Sequence, residues 1–131
     1  LMVYAKGLFV GDAPQTQLGL YLEYSFWNAF DLTANWMYYD RLYANFDPAN
    51  RVTPGDRSQP YRLPAYGMTD IYLGYNFSVR QIPSRLQISC QNVFDKVAIL
   101  RGDDGADHSL GTFTGFWSMG RTFNVSMKVM F

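Results

Sequence analysis

Thr122-Phe123-Asn124-Val125-Ser126-Met127-Lys128-Val129-Met130-Phe131 alternates almost strictly between apolar and polar side chains. Phe123, Val125, Met127, Val129 and Phe131 share one parity, and Asn124, Ser126, Lys128 and Met130 share the other. Successive side chains on an extended chain point to opposite sides. The stretch therefore reads as a β-strand with one apolar and one mostly polar face.

The same parity rule works upstream. Over residues 17–26, Leu18, Leu20, Leu22, Tyr24 and Phe26 oppose Gln17, Gly19, Tyr21, Glu23 and Ser25. Over 30–39, Leu32, Ala34, Trp36 and Tyr38 oppose Asp31, Thr33 and Asn35. Over 70–79, Ile71, Leu73, Tyr75, Phe77 and Val79 oppose Asp70, Tyr72, Gly74, Asn76 and Ser78. Over 85–91, Leu86, Ile88 and Cys90 oppose Gln87, Ser89 and Gln91. Residues 2–10 are a weaker strand candidate. The expectation is about six strands of roughly ten residues, the length that crosses a bilayer at a tilt. Strands of soluble domains average about 5–6 residues. No stretch approaches the roughly 18 consecutive apolar residues of a membrane-spanning helix.

The breaks alternate in length. Those at 27–29 and 80–84 are short, whereas 45–64 and 101–113 are long and polar; the short break at 11–15 falls on the long-loop side. Short turns on one rim and long loops on the other is the pattern of outer-membrane barrels. Tyr24, Phe26, Phe30, Tyr75, Phe77 and Phe131 are expected near the short-turn, periplasmic rim. Trp36, Tyr38, Phe116 and Trp117 are expected nearer the outer rim, as in aromatic girdles.

Composition agrees. Of 131 residues 18% are aromatic, only 17% are charged, and the formal net charge is zero. A typical soluble domain carries about 25% charged residues. A neutral chain has no electrostatic footprint for nucleic acid. The single cysteine, Cys90, can make no internal disulfide and has no His or Cys cluster for zinc, so it reads as a small apolar strand residue. Leu1-Met2-Val3 shows none of the charged and apolar regions of a signal peptide. The expectation is that a leader was removed or that the chain starts within a longer one.

Three segments, together with their order, resemble the C-terminal end of TonB-dependent outer-membrane receptors, especially those of Bacteroidetes. Asn92-Val93-Phe94-Asp95-Lys96 resembles a motif on the family's penultimate strand. Leu63-Pro64-Ala65-Tyr66-Gly67-Met68-Thr69-Asp70 resembles the lead-in to an earlier strand, and Gly120 through Phe131 resembles the final one. Gly7 to Thr16 and Phe46 to Arg51 are similar to further segments of these receptors. The resemblance implies residues 1–131 as the last part of a roughly 22-stranded barrel around a plug, with plug and earlier strands absent. It implies an active-transport receptor for nutrient uptake in the bacterial outer membrane. Its partners would be outer-membrane lipid, the rest of the barrel and its plug, the TonB complex through the absent N-terminal region, and the barrel-assembly machinery. Met127, Val129 and Phe131 would form the C-terminal signal read by that machinery.

The fold class expected is all-β: an antiparallel up-and-down transmembrane barrel segment, incomplete. A small outer-membrane barrel and a soluble β-sandwich binding module are the alternatives, and alternation alone does not separate them. Strand length, loop asymmetry and aromatic placement favour the barrel.

Asp103, Asp104, Asp107 and His108 form the only acidic cluster with a histidine. They read either as ligand contacts on an outer loop or as a solvated loop of turn residues. They lack the spacing of a calcium loop. Within 45–64, Arg51, Arg57, Tyr61 and Arg62 read as substrate contacts or as a mobile surface loop. Glu23 and Lys128 fall on the inner face. No serine or cysteine sits in a nucleophile context beside His108, so no catalytic residue, metal ligand or cofactor is expected.

Overall fold

The computed structural model describes residues 2–131. Its strands are β1 (Thr16–Phe26), β2 (Phe30–Asp40), β3 (Tyr66–Val79), β4 (Ile82–Gln91), β5 (Ile99–Asp103), β6 (Thr114–Trp117) and β7 (Thr122–Val129). The fold is all-β and antiparallel. An open up-and-down sheet runs in the order β1-β2-β3-β4-β7, and β5-β6 form a separate two-stranded sheet. The main sheet does not close, so β1 and β7 are its edges. The chain divides into two compact units: a sheet unit (residues 18–37, 67–96 and 119–131) and a loop unit (residues 2–17, 38–66 and 97–118).

In the sheet unit, tight turns join β1 to β2 and β3 to β4. Trp27 and Asn28 both have φ 51°, and Arg80 and Gln81 have φ 50° and 68°. Two successive positive φ values make the primed turn whose twist matches paired strands. Neither turn uses glycine, at a cost of about 1–2 kcal/mol per left-handed residue.

Register fixes the faces. β3 pairs with β4 so that Ile71, Leu73 and Tyr75 lie opposite Cys90, Ile88 and Leu86. β4 pairs with β7 so that Cys90, Ile88 and Leu86 lie opposite Phe123, Val125 and Met127. The apolar parity of three strands thus lands on one side without a slip, as it must where one face is specified. At the turn end of that side, rings stack in a row: Tyr24–Phe26 at 5.8 Å, Phe26–Phe30 at 5.3 Å, Phe30–Tyr75 at 4.5 Å and Tyr75–Phe77 at 5.3 Å between centroids. These are five of the six aromatics expected near one rim; Phe131 follows β7 and is fully exposed.

The opposite side carries charge. Arg85 on β4 grips Asp31 on β2 with two parallel bonds, Nη1–Oδ1 at 2.7 Å and Nη2–Oδ2 at 2.6 Å, and donates to Asn76 Oδ1 at 2.9 Å. The pair spans β3, which lies between β2 and β4. Gly74 makes the crossing possible: a Cβ there would overlap the Arg85 guanidinium and stand 2.6 Å from Asp31 Oδ2.

The structure corrects the sequence reading in four places. Residues 2–10 form no strand. Their backbone groups pair elsewhere: Tyr4 N donates to Arg51 O at 2.8 Å, and Phe9 N to Gln59 Oε1 at 3.0 Å. The main sheet therefore has five strands, not six. The short break at 80–84 is only the Arg80-Gln81 turn, and β4 already begins at Ile82. The long break at 101–113 is flanked by the β5–β6 hairpin, which takes in residues 101–103. β5 and β6 are five and four residues long, too short for alternation to stand out.

The loop unit is packed rather than loose. Leu42, Ala44 and Leu63 form its buried core, with Tyr61, Tyr66, Ile99 and Phe113 against it. Backbone bonds knit residues 42–45 to both long segments: Leu63 N to Leu42 O at 2.8 Å, Ala44 N to Tyr61 O at 2.9 Å, and Asn45 N to Gly102 O at 2.8 Å.

Gly74→Val will force Arg85 off Asp31 and destabilise the sheet by about 1–3 kcal/mol, the usual range for overpacking. The unfolding midpoint in urea measures it, and Asn76→Val on the same face serves as the milder control.

Candidate functional site

The sequence-predicted loop residues do not form one site. Three of them, Arg51, Asp104 and His108, join a buried ionic cluster in the loop unit. The Arg51 side chain is 0% exposed. Its Nη2 lies 3.3 Å from Asp104 Oδ2, and its Nη1 donates to Ser58 O at 2.5 Å and lies 3.7 Å from Asp56 Oδ2. Asp104 Oδ1 accepts from Tyr61 N at 3.0 Å, and its Oδ2 meets His108 Nδ1. His108 Nε2 lies 3.7 Å from Asp56 Oδ2. The buried guanidinium Nε has no partner. A charge in this position needs partners to offset desolvation, and both long loops supply them. Asp104 and His108 therefore latch residues 51–61 to 104–108 instead of reaching outward to a ligand.

Asp107 serves its own turn. It accepts from Ser109 N at 3.1 Å, Ser109 Oγ at 2.7 Å and the Thr112 hydroxyl. The Thr112 and Ser109 hydroxyls hold its carboxyl below the usual range. The Ser58 side chain and N–H do the same for Asp56, with smaller help from Arg51 and His108. Asp103 is exposed on β5, where the chain bridges to Asn45. The Tyr61 ring packs on Phe113 at 5.1 Å. Arg62 pairs with Asp40 at 2.8 Å. Arg57 is exposed and lines a cleft with Lys6, a residue the sequence did not single out. Among the described residues no group of three His, Cys, Asp or Glu side chains is placed to hold a metal ion.

The segment Asn92–Lys96 is a staple in the sheet unit. Asn92 is 7% exposed. Its Nδ2 donates to Lys96 O at 2.8 Å and to Met119 O at 3.0 Å, and its Oδ1 accepts from Lys96 N at 2.8 Å. Its N–H donates to Asp70 Oδ1 at 2.9 Å, and Asp95 Oδ1 accepts from Arg121 N at 2.8 Å. Positive φ at Asn92 and Asp95 (both 52°) suits these residue types, which tolerate the left-handed region. The turn thus ties the end of β4 to the start of both β3 and β7.

The sheet unit exposes its apolar side. Leu20, Leu22, Tyr24, Tyr75, Val79, Ile88, Phe123, Val125 and Met127 are all exposed. Register puts those of β3, β4 and β7 on that side, and the ring stack from Tyr24 through Phe26 and Phe30 to Tyr75 puts the β1 set there too. Leu20 is 68% and Val125 69% exposed. Contiguous apolar surface on this scale marks contact with another apolar phase. Cys90, free and half-buried, lies on the same side. Comparison of the chain with protein-family models, with curated proteins and with solved structures gives no match.

Two outcomes follow. Asn92→Ala strands two backbone carbonyls and one N–H and will cost about 2–3 kcal/mol, read as a lowered unfolding midpoint. Asp107 will titrate below the ordinary value of about 3.9, and Thr112→Val will move its midpoint back up, followed by carboxyl-carbon NMR. Because the folded value is depressed, the stability this group gives is present at neutral pH and is lost as pH falls through the folded midpoint.

Proposed function

We propose that the chain is part of the wall of a bacterial outer-membrane β-barrel, the C-terminal segment of a TonB-dependent receptor that imports a nutrient without chemistry on it. The single observation that carries this reading is the in-register apolar side. Four strands of eight to fourteen residues, β1, β3, β4 and β7, present exposed aliphatic side chains on one side, and the Arg85–Asp31–Asn76 cluster lies on the other. Strands of about 9–11 residues cross the hydrocarbon at a tilt, and a lumen accepts charge that lipid does not. The stacked row from Tyr24 to Phe77 has the position and composition of an interfacial girdle.

The resemblance of the staple Asn92–Lys96 and of the β7 segment to those receptors narrows the class from barrel to receptor. Under this reading the apolar side meets lipid, and β1 and β7 pair with further strands of the same barrel, because an unpaired edge in lipid is costly. Coupling to the TonB complex lies outside these residues. Met127, Val129 and Phe131 carry the alternating apolar pattern for recognition by the assembly machinery. A soluble sandwich is disfavoured by the same observation, since its apolar sides are covered by a second sheet.

The reading is tested by accessibility in intact cells, with single cysteines in a Cys90→Ser background. Arg57→Cys will react with a membrane-impermeant maleimide from outside. Asn28→Cys will react only after the periplasm is opened. Labelling of Asn28→Cys in intact cells, or labelling of both sites in a soluble fraction, would overturn it.

A further inference from the structure

We infer that the loop unit carries a binding site for a small organic anion in the cleft between residues 3–7 and 55–59. The cleft measures about 710 Å³, within the range of about 300–1,000 Å³ in which small-molecule sites fall. One wall contributes Lys6 and the other Arg57. Both cations are exposed, and no acidic partner pairs with either among the described residues. The one acidic side chain lining the cleft, Asp56, is already committed: it accepts from Ser58 N at 2.9 Å and faces Arg51 and His108 at 3.7 Å. The cleft therefore has two cations free to meet an oxyanion.

The walls are built in advance. Gln59 spans them, its Nε2 donating to Gly7 O at 2.9 Å and its Oε1 accepting from Phe9 N at 3.0 Å. Tyr4 N is bonded to Arg51 O, so the same wall is anchored to the buried ionic cluster. Gly7 and Gly55, at φ +87° and +78°, leave open space where a side chain would stand. Ligand atoms can approach the backbone there without a Cβ in the way. Val3, Ala5 and Tyr4 give the remaining surface an apolar share. The ligand chemistry that fits is a molecule with at least two anionic oxygens, carboxylate or phosphate, on a compact carbon body.

Placing this site on the route of a transported solute rests on the receptor reading; the binding does not, and its test is independent of bilayer insertion. The experiment is calorimetric titration of the detergent-solubilised protein with citrate and with pyrophosphate, the two separating carboxylate from phosphate, and with uncharged sucrose as control. Saturable binding of at least one anion is expected, weakened by added sodium chloride. Lys6→Gln and Arg57→Gln, both exposed and unpaired, leave folding intact and will each weaken binding about two- to fivefold; the double variant will weaken it about tenfold or more. Gln59→Leu will weaken it with both charges in place. Three results would each overturn the inference: no saturable binding of either anion, sucrose bound as tightly as the anions, or binding unchanged in the Lys6→Gln, Arg57→Gln double variant.

Discussion

Everything in the sheet unit depends on one constraint: side chains on a strand alternate, and hydrogen-bond register decides which alternating sets meet. A slip of one residue between β3 and β4 would send Leu73 and Ile88 to opposite sides. It would also separate Asn76 from Arg85. The observed register avoids both, and apolar and charged side chains sort onto different sides across β3, β4 and β7. The bond between Arg85 and Asp31 reinforces that choice from the polar side. It requires a residue without a side chain at position 74 and a partner two strands away. Such a pair is worth little for raw stability where solvent reaches it. Its value here is geometric, because the bidentate grip forms in one register only.

The loop unit is held by a different logic. Its apolar core is small, Leu42, Ala44 and Leu63. Charge does what a larger core would do elsewhere, with Arg51 buried among Asp104, Asp56, His108 and the Ser58 carbonyl. Removing one member of such a set is costly, since it leaves an uncompensated charge out of water. This explains why long, polar, proline-containing segments are ordered at all. It also leaves Lys6 and Arg57 as the cations that the fold does not consume.

The strands of the main sheet were legible because their signal is local. Leu18 through Phe26 alternate whatever else the protein does, and the same holds for Ile71 through Val79 and Phe123 through Val129. The aromatic row was legible for the same reason, since parity and turn position place Phe26, Phe30 and Tyr75 on one side at one end. What could not be read was non-local. Asp31 and Arg85 lie 54 residues apart, and only register brings them together. Arg51 and Asp104 are 53 apart, and their burial depends on how two loops fold over Leu42 and Ala44. Asp104 and Asp107 of the acidic cluster at 103–108 are close in sequence but do not share partners. Local turns point Asp107 to Ser109 and Thr112, while Asp104 turns inward to Arg51. Residues 2–10 are apolar enough for a strand, but they spend their backbone bonds on Arg51 and Gln59 instead.

The central claim is that the apolar side of the sheet meets lipid and the Arg85 side meets water. Solid-state NMR of the protein in its membrane, with magnetisation passed from lipid acyl chains or from water into the protein, tests it directly. The account predicts early lipid transfer to the methyl groups of Leu20, Leu73, Ile88 and Val125, and early water transfer to Gln87, Asn76 and Ser126. Equal transfer from lipid to both sets, or water reaching the methyl set first, would contradict it.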